Sequence, residues 1–126
     1  MPQGTLFNVK VSEAEVQKAI IQFLKLKGIF VYRQNAGAFK VGDRFVSMGK
    51  VGIADVICIT HGGKYTAIEV KTPKKGVLSP AQVEFLRDVR KAGGIAMVAT
   101  SVDDVVRLLE NQNAKSEDKY EKLLSL

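Results

Sequence analysis

Asp55, Glu69 and Lys71 are charged side chains set into two apolar runs that otherwise read as buried strands, Gly52-Ile53-Ala54-Asp55-Val56-Ile57-Cys58-Ile59 and Tyr65-Thr66-Ala67-Ile68-Glu69-Val70-Lys71. His61-Gly62-Gly63-Lys64 between them has the composition of a hairpin turn. Side chains alternate along a strand, so Glu69 and Lys71 share one face while Ile68 and Val70 take the other. Asp55 joins Glu69 on that face if the loop holds an odd number of residues or a bulge shifts the register. Two carboxylates and an ammonium then converge, and buried carboxylates repel each other unless a cation sits between them. The expectation is a divalent metal site. Asp55, Glu69 and the Val70 carbonyl offer only oxygens, which suit Mg²⁺ or Mn²⁺. A zinc site lacks material, because His61 is the only histidine and Cys58 the only cysteine. A cation of this kind makes a bound water a stronger nucleophile. Lys71 could orient that water or offset charge on a phosphorane-like state, and Glu13 or Gln17 could hold an outer water or a second metal. A phosphodiester suits the layout, with Arg33, Asn35, Lys40, Arg44, Lys50, Lys74 and Lys75 as candidates for a phosphate-binding rim.

Plainer roles exist for each residue. Glu-x-Lys on a strand is commonly a solvated, salt-bridged face, and an Asp after Gly-x-x often serves a turn or cap. Lys71 could snorkel at a sheet edge. Arg33 and Asn35 could close a strand end. His61 reads as an exposed turn residue, and Cys58 as a small core residue on the strand face opposite Asp55.

The elements that must position these residues begin at Ser12, which opens a helix with Glu15 three residues on, the pattern of a capping box. Val16, Ala19, Ile20, Phe23 and Leu24 form its apolar stripe, and Gly28 stops it. Glu15 has a capping job, whereas Glu13 leans toward the stripe on the flank of Gln17. Glu13 is therefore the expected site acid on this helix, with first-turn acids complementing the helix dipole as the alternative. Ile29 to Arg33 reads as a strand, broken by Asn35-Ala36-Gly37. Phe39-Lys40-Val41 and Arg44-Phe45-Val46 flank Gly42-Asp43 as a small hairpin. Gly49 and Gly52 bracket a tight approach to the Asp55 strand, and Thr72-Pro73-Lys74-Lys75-Gly76 is a basic loop. Ser79-Pro80-Ala81-Gln82 starts a second helix, with Gln82 where a capping box wants it. Phe85, Leu86 and Val89 form its apolar side, and Gly93-Gly94 ends it. A last strand spans Ile95 to Thr100, and Ser101 caps a helix carrying Val102, Val105, Val106 and Leu109. The order predicts an α/β domain with a mixed sheet flanked by helices over residues 1–110. Residues 111–126 read as a polar linker and a short C-terminal helix or tail, with Tyr120, Leu123 and Leu124 free to dock on this domain, on a second copy or on nothing.

At 126 residues, with 46% hydrophobic and 25% charged residues, the chain is one globular domain. Nineteen Lys and Arg against thirteen Asp and Glu give a net charge of +6, which favours a polyanionic partner. The lone cysteine fits a reducing compartment. With no run of membrane-span or signal-peptide length, the expected location is cytoplasmic.

In combination these segments resemble the PD-(D/E)xK nuclease superfamily, and more closely the VRR-NUC family of virus-type replication and repair nucleases. The resemblance covers most of residues 12–100. It rests on Glu13-x-x-x-Gln17, Arg33-Gln34-Asn35-Ala36-Gly37, Gly49-Lys50-Val51-Gly52-Ile53-Ala54-Asp55, Ile68-Glu69-Val70-Lys71 and Leu78-Ser79-Pro80-Ala81-Gln82. Ala54 stands where the superfamily motif has proline. The resemblance implies a restriction-endonuclease-like αβββαβ core, with Asp55, Glu69 and the Val70 carbonyl as ligands of Mg²⁺ or Mn²⁺. It further implies Lys71 as the catalytic lysine, Gln82 supporting the site from the second helix, and Glu13 as the helix acid. Stand-alone members resemble junction-resolving nucleases and pair as homodimers, which implies branched DNA such as four-way junctions as substrate, in a phage or bacterial host cytoplasm. The rival from another class is a non-catalytic nucleic-acid-binding module with the same fold; a third is a phosphoesterase of small nucleotides.

Overall fold

The computed structural model describes residues 11–34, 38–47, 50–73 and 75–125. In chain order the elements are α1 (Glu13–Leu26), β1 (Val31–Arg33), β2 (Ala38–Val41), β3 (Arg44–Ser47), β4 (Val56–Thr60), β5 (Lys64–Val70), α2 (Pro80–Lys91), β6 (Ile95–Ala99), α3 (Val102–Glu110) and α4 (Asp118–Leu124). Four strands form one sheet in the order β1-β4-β5-β6. The first two pairings are antiparallel and β5 with β6 is parallel, so the sheet is mixed. A connection between parallel neighbours needs a crossover, and α2 supplies it. β2 and β3 form a separate antiparallel hairpin, turned at Gly42-Asp43 with Gly42 at φ +62°. Among the described residues no helix is long and apolar enough to cross a membrane.

Helices pack on both sheet faces, and alternation decides which residue serves which core. Val56, Cys58, Ile68, Val70, Met97 and Ala99 point to one side, where Val16, Ile20 and Leu24 of α1 and Val105 and Leu108 of α3 meet them. Ile57, Ala67, Ala96 and Val98 point to the other, against Phe85, Leu86 and Val89 of α2 and Tyr120 and Leu124 of α4. The second core lies beneath the predicted acids. Cys58 sits fully buried on the face opposite, its thiol pushed up to about 12 by burial, an inert packing residue.

The local signals act as physics predicts. Ser12 and Glu15 close a capping box on α1, and Ser79 and Gln82 close one on α2, with Pro80 in the first turn. Ser101 precedes α3 but makes no side-chain cap bond. Asp104 instead reaches back past the cap residue, its Oδ2 accepting from the Thr100 backbone N–H at 2.8 Å and so tying the end of β6 to the helix. Leu108, outside the predicted apolar set of α3, is fully buried. β1 begins at Val31 rather than Ile29, because the Ile29 N–H is still bonded to the Leu24 carbonyl at the end of α1.

The C-terminal helix docks on its own domain. Tyr120 is 1% exposed and donates its hydroxyl to the Gly76 carbonyl at 3.0 Å. Arg90 grips both carboxylate oxygens of Glu121, at 2.8 and 3.0 Å, while also donating to the Ala96 carbonyl. Ser116, within the polar stretch, accepts from the Val98 N–H at 2.8 Å and is buried.

Candidate active site

The hairpin loop between β4 and β5 decides the site. Thr60 pairs with Lys64, so three residues, His61-Gly62-Gly63, make the turn, each at positive φ. His61 is exposed there and its ring meets the Thr60 hydroxyl. The odd count sets Val56 opposite Ile68 and thereby puts Asp55 level with Glu69, on the face of the second core. Asp55 Oδ2 accepts from the Val70 backbone N–H at 2.9 Å, which fixes the carboxylate against the end of β5. A strand residue's N–H and C=O leave the chain on the same side, so the Val70 carbonyl is turned toward this carboxylate as well.

Glu69 is 2% exposed. Its Oε2 accepts from the Gln82 amide at 3.0 Å and lies 3.6 Å from the Lys71 ammonium. Its Oε1 is buried with no hydrogen-bond partner. Burial, and then the negative charge of Asp55, push the Glu69 carboxyl up to about 8, against the opposing pull of Lys71. A buried oxygen without a donor, beside a second carboxylate, is costly as it stands and is the environment a cation would relieve. The donor set is all oxygen, so the residues fit Mg²⁺ or Mn²⁺. Among the described residues no third Asp, Glu, His or Cys completes a larger metal cluster.

Gln82 does two jobs at once. Its Oε1 accepts from the Ser79 N–H at 2.9 Å, closing the capping box, while its amide nitrogen donates to Glu69. The amide offers an acceptor at one atom and a donor at the other, which a carboxylate in its place would not. What brings α2 close enough is Gly52, at φ +80°, where a Cβ would lie 2.3 Å from the Ala81 carbonyl oxygen. At the other end of the site, a Cβ on Gly76 would lie 2.5 Å from the Lys71 Cβ and 2.7 Å from the Tyr120 hydroxyl. Gly76 thus packs beneath Lys71, and its carbonyl is held by Tyr120 and by the Lys119 ammonium at 3.1 Å. Sequence reasoning missed this support; the signal available was Tyr120 and Leu124 at helical spacing.

The other predicted residues are spread more widely. Glu13 is half-buried and Gln17 likewise, on a helix that covers the opposite face from Glu69. Glu15 is exposed and held below the usual carboxylate range by its Ser12 hydrogen bonds. It lines a cavity of 610 Å³ with Thr72, Pro73 and Lys75, the loop that follows Lys71. Arg33 pairs with Val56, which puts it on the α1 side of the sheet, where it is exposed. Arg44 is exposed on the separate hairpin and Lys40 lies on β2. Lys50 is exposed and lines clefts along α2 on the acid face. Asn35 and Lys74 lie outside the described residues.

The model of the VRR-NUC domain matches residues 34–103, more than half of the chain. A solved structure described as a "VRR_NUC domain protein" is 24% identical, with a TM-score of 0.61, over 91% of this chain and 92% of that one. This likeness shows the shared fold. Among curated proteins, none matches the chain.

Proposed function

This chain belongs to the VRR-NUC family, and from that premise we propose that it is a metal-dependent endonuclease hydrolysing DNA phosphodiesters, with branched DNA such as four-way junctions as substrate. The observation that carries the reading is Glu69, buried with an unpartnered oxygen beside Asp55 and Lys71.

Asp55, Glu69 and the Val70 carbonyl are the ligands in this reading. A divalent ion held there would neutralise the two acids, polarise a phosphate oxygen and acidify water. The chain's own residues do the rest. Val70 N–H holds Asp55, and Gln82 holds Glu69, so both carboxylates are oriented before substrate arrives. Lys71, largely buried, has its ammonium poised to donate to the attacking water or to a phosphate oxygen gaining charge. Lys50, on the acid face, would supply a phosphate contact that sets register without reading bases. Pairing as a homodimer would offer two such sites to two strands, and the working compartment is the cytoplasm.

The test is cleavage of duplex, flap and four-way DNA with Mg²⁺ by wild type, Asp55→Ala and Lys71→Ala. Loss of cleavage in both variants is expected; equal cleavage by all three would refute the assignment. A non-catalytic DNA-binding module predicts instead salt-sensitive binding that needs no divalent ion and survives Asp55→Asn. The buried, unpartnered Glu69 oxygen weighs against that reading, since a pure binder gains nothing from it.

A further inference from the structure

The face that carries Asp55 and Glu69 continues past them along the strands, and the register orders it in rows. Gln34, Asp55 and Glu69 form the first, with the Gln34 N–H bonded to the Asp55 carbonyl at 2.8 Å. Tyr32, Ile57 and Ala67 form the second. Phe30, Ile59 and Tyr65 form the third, with the Ile59 N–H bonded to the Phe30 carbonyl at 3.1 Å. Two residues along a strand advance about 7 Å, so the rows are spaced by about two stacked base layers of about 3.4 Å each.

α2 lies over β5 and β6, and among the described residues the side chains toward the β1 side of this face are exposed. Phe30 is 67% exposed, Tyr32 41%, Tyr65 39% and Ile59 37%. Scattered exposed apolar residues need no explanation, but these adjoin one another. The Phe30 and Tyr32 rings meet edge to face at 5.8 Å. Tyr65 lies across β4 from this pair, on the same face, one row beyond Tyr32. A cleft of 360 Å³ runs from Tyr65 along α2, lined by Phe85 and Val89, with Lys50 and Asp88 as its charged groups.

Resting on the nuclease reading above, we propose that this aromatic surface is a stacking platform for unpaired nucleobases next to the scissile phosphate. Three features select that occupant. The surface is continuous with the acid row on one sheet face. Its exposed groups are mainly aromatic rings, which stack on any base without reading its edge. A cation at the cleft wall, on a chain of net charge +6, suits the phosphate that accompanies each base. Paired bases keep their faces inside the duplex, so among branched substrates the platform favours those with unpaired nucleotides beside the cut, such as flaps.

The experiment needs no turnover. The chain has no Trp, so its emission comes from three tyrosines, of which Tyr120 is buried. Wild type in chelator is titrated with a short oligothymidylate and with an abasic strand of equal length, and tyrosine quenching is followed. The oligothymidylate should bind about tenfold more tightly than the abasic strand and quench the emission. Tyr32→Leu and Tyr65→Leu, checked for wild-type melting, should each lose most of that preference, and Tyr32→Phe should keep it. A wild type that binds both strands equally, or Leu variants that keep the preference, would overturn the platform. So would a dimer in sedimentation that Tyr32→Leu dissociates, since a second copy would then cover the face. Asp55→Ala cleavage is scored separately. If that variant cuts like wild type while the base preference still depends on Tyr32 and Tyr65, the platform stands and the nuclease assignment falls.

Discussion

Replacing Glu69 by Gln should stabilise the metal-free protein at neutral pH, although it removes a carboxyl that lies beside a lysine. The folded carboxyl is held at about 8 against an ordinary 4.5, chiefly by burial. A raised acid favours folding fully below the unfolded value, and that contribution is lost as pH rises toward the folded value. Within this window each pH unit costs about 1.4 kcal/mol. At neutral pH the penalty is therefore roughly 3 kcal/mol, and it grows until the pH passes about 8. Gln82 and Lys71 can still bond the oxygen of the substituted amide, so little packing is lost.

Urea unfolding in chelator, at about pH 5 and about pH 8, measures the difference. The variant should gain on wild type by roughly 3 kcal/mol between the two conditions. Adding Mn²⁺ should reverse the order. Wild type would gain about 3 kcal/mol when the ion is a hundredfold above its dissociation constant, and the variant far less. Should the two proteins lose stability in parallel from about pH 5 to about pH 8, the buried-acid account of this site is wrong.

Substitutions at three further positions, Gly52, Gln82 and Tyr120, probe what positions the acids. Gly52→Ala should lower stability by roughly 3 kcal/mol, from its positive φ and the Ala81 carbonyl, whereas Gly28→Ala, at φ +74° with open space around it, should cost only about 1 kcal/mol; denaturant midpoints compare them. Gln82→Ala should weaken Mn²⁺ binding by about ten- to hundredfold in calorimetry. Gln82→Glu keeps the cap acceptor for Ser79 but sets a third carboxylate against Glu69, so it should destabilise the metal-free protein more at about pH 8 than at about pH 5. Tyr120→Phe should cost at most about 1 kcal/mol, because Lys119 still serves the Gly76 carbonyl, while Tyr120→Ala should cost about 3–5 kcal/mol in thermal or urea unfolding.

Local chemistry was legible in the sequence and long-range placement was not. Ser12 with Glu15 and Ser79 with Gln82 announce helix starts because capping involves residues three apart. The shared face of Glu69 and Lys71 follows from strand alternation alone. Asp55 is different, because its face depended on the parity of a loop whose ends only the Thr60–Lys64 pairing defines. Glu13 shows the limit more sharply. A helical wheel reports that it leans toward the apolar stripe, but not that the stripe packs on the far face of the sheet. The rim has the same difficulty: Arg33 and Lys50 read alike as cations, yet register puts Arg33 on the α1 side while Lys50 lines clefts on the acid side. Tyr120 carried a visible amphipathic signal, and its partner Gly76 lies 44 residues away.

The helix layer of α2 and α4 explains why the site is strained as well as where it lies. Glu69 is raised because the core of Phe85, Leu86, Tyr120 and Leu124 covers the face to which it points. That core is clamped beside the acid row by two glycines. Gly52 lets Ala81 close in from one side, and Gly76 lets Lys71 and Tyr120 share one small space on the other. α4 is held in turn by Arg90, which ties Glu121 to the Ala96 carbonyl of β6. α4 supplies the Tyr120 and Leu124 part of that core, so loosening it should lower the Glu69 carboxyl toward the ordinary range. The C-terminal helix is therefore part of what tunes the acid pair, and substitutions there should register in metal affinity as well as in stability.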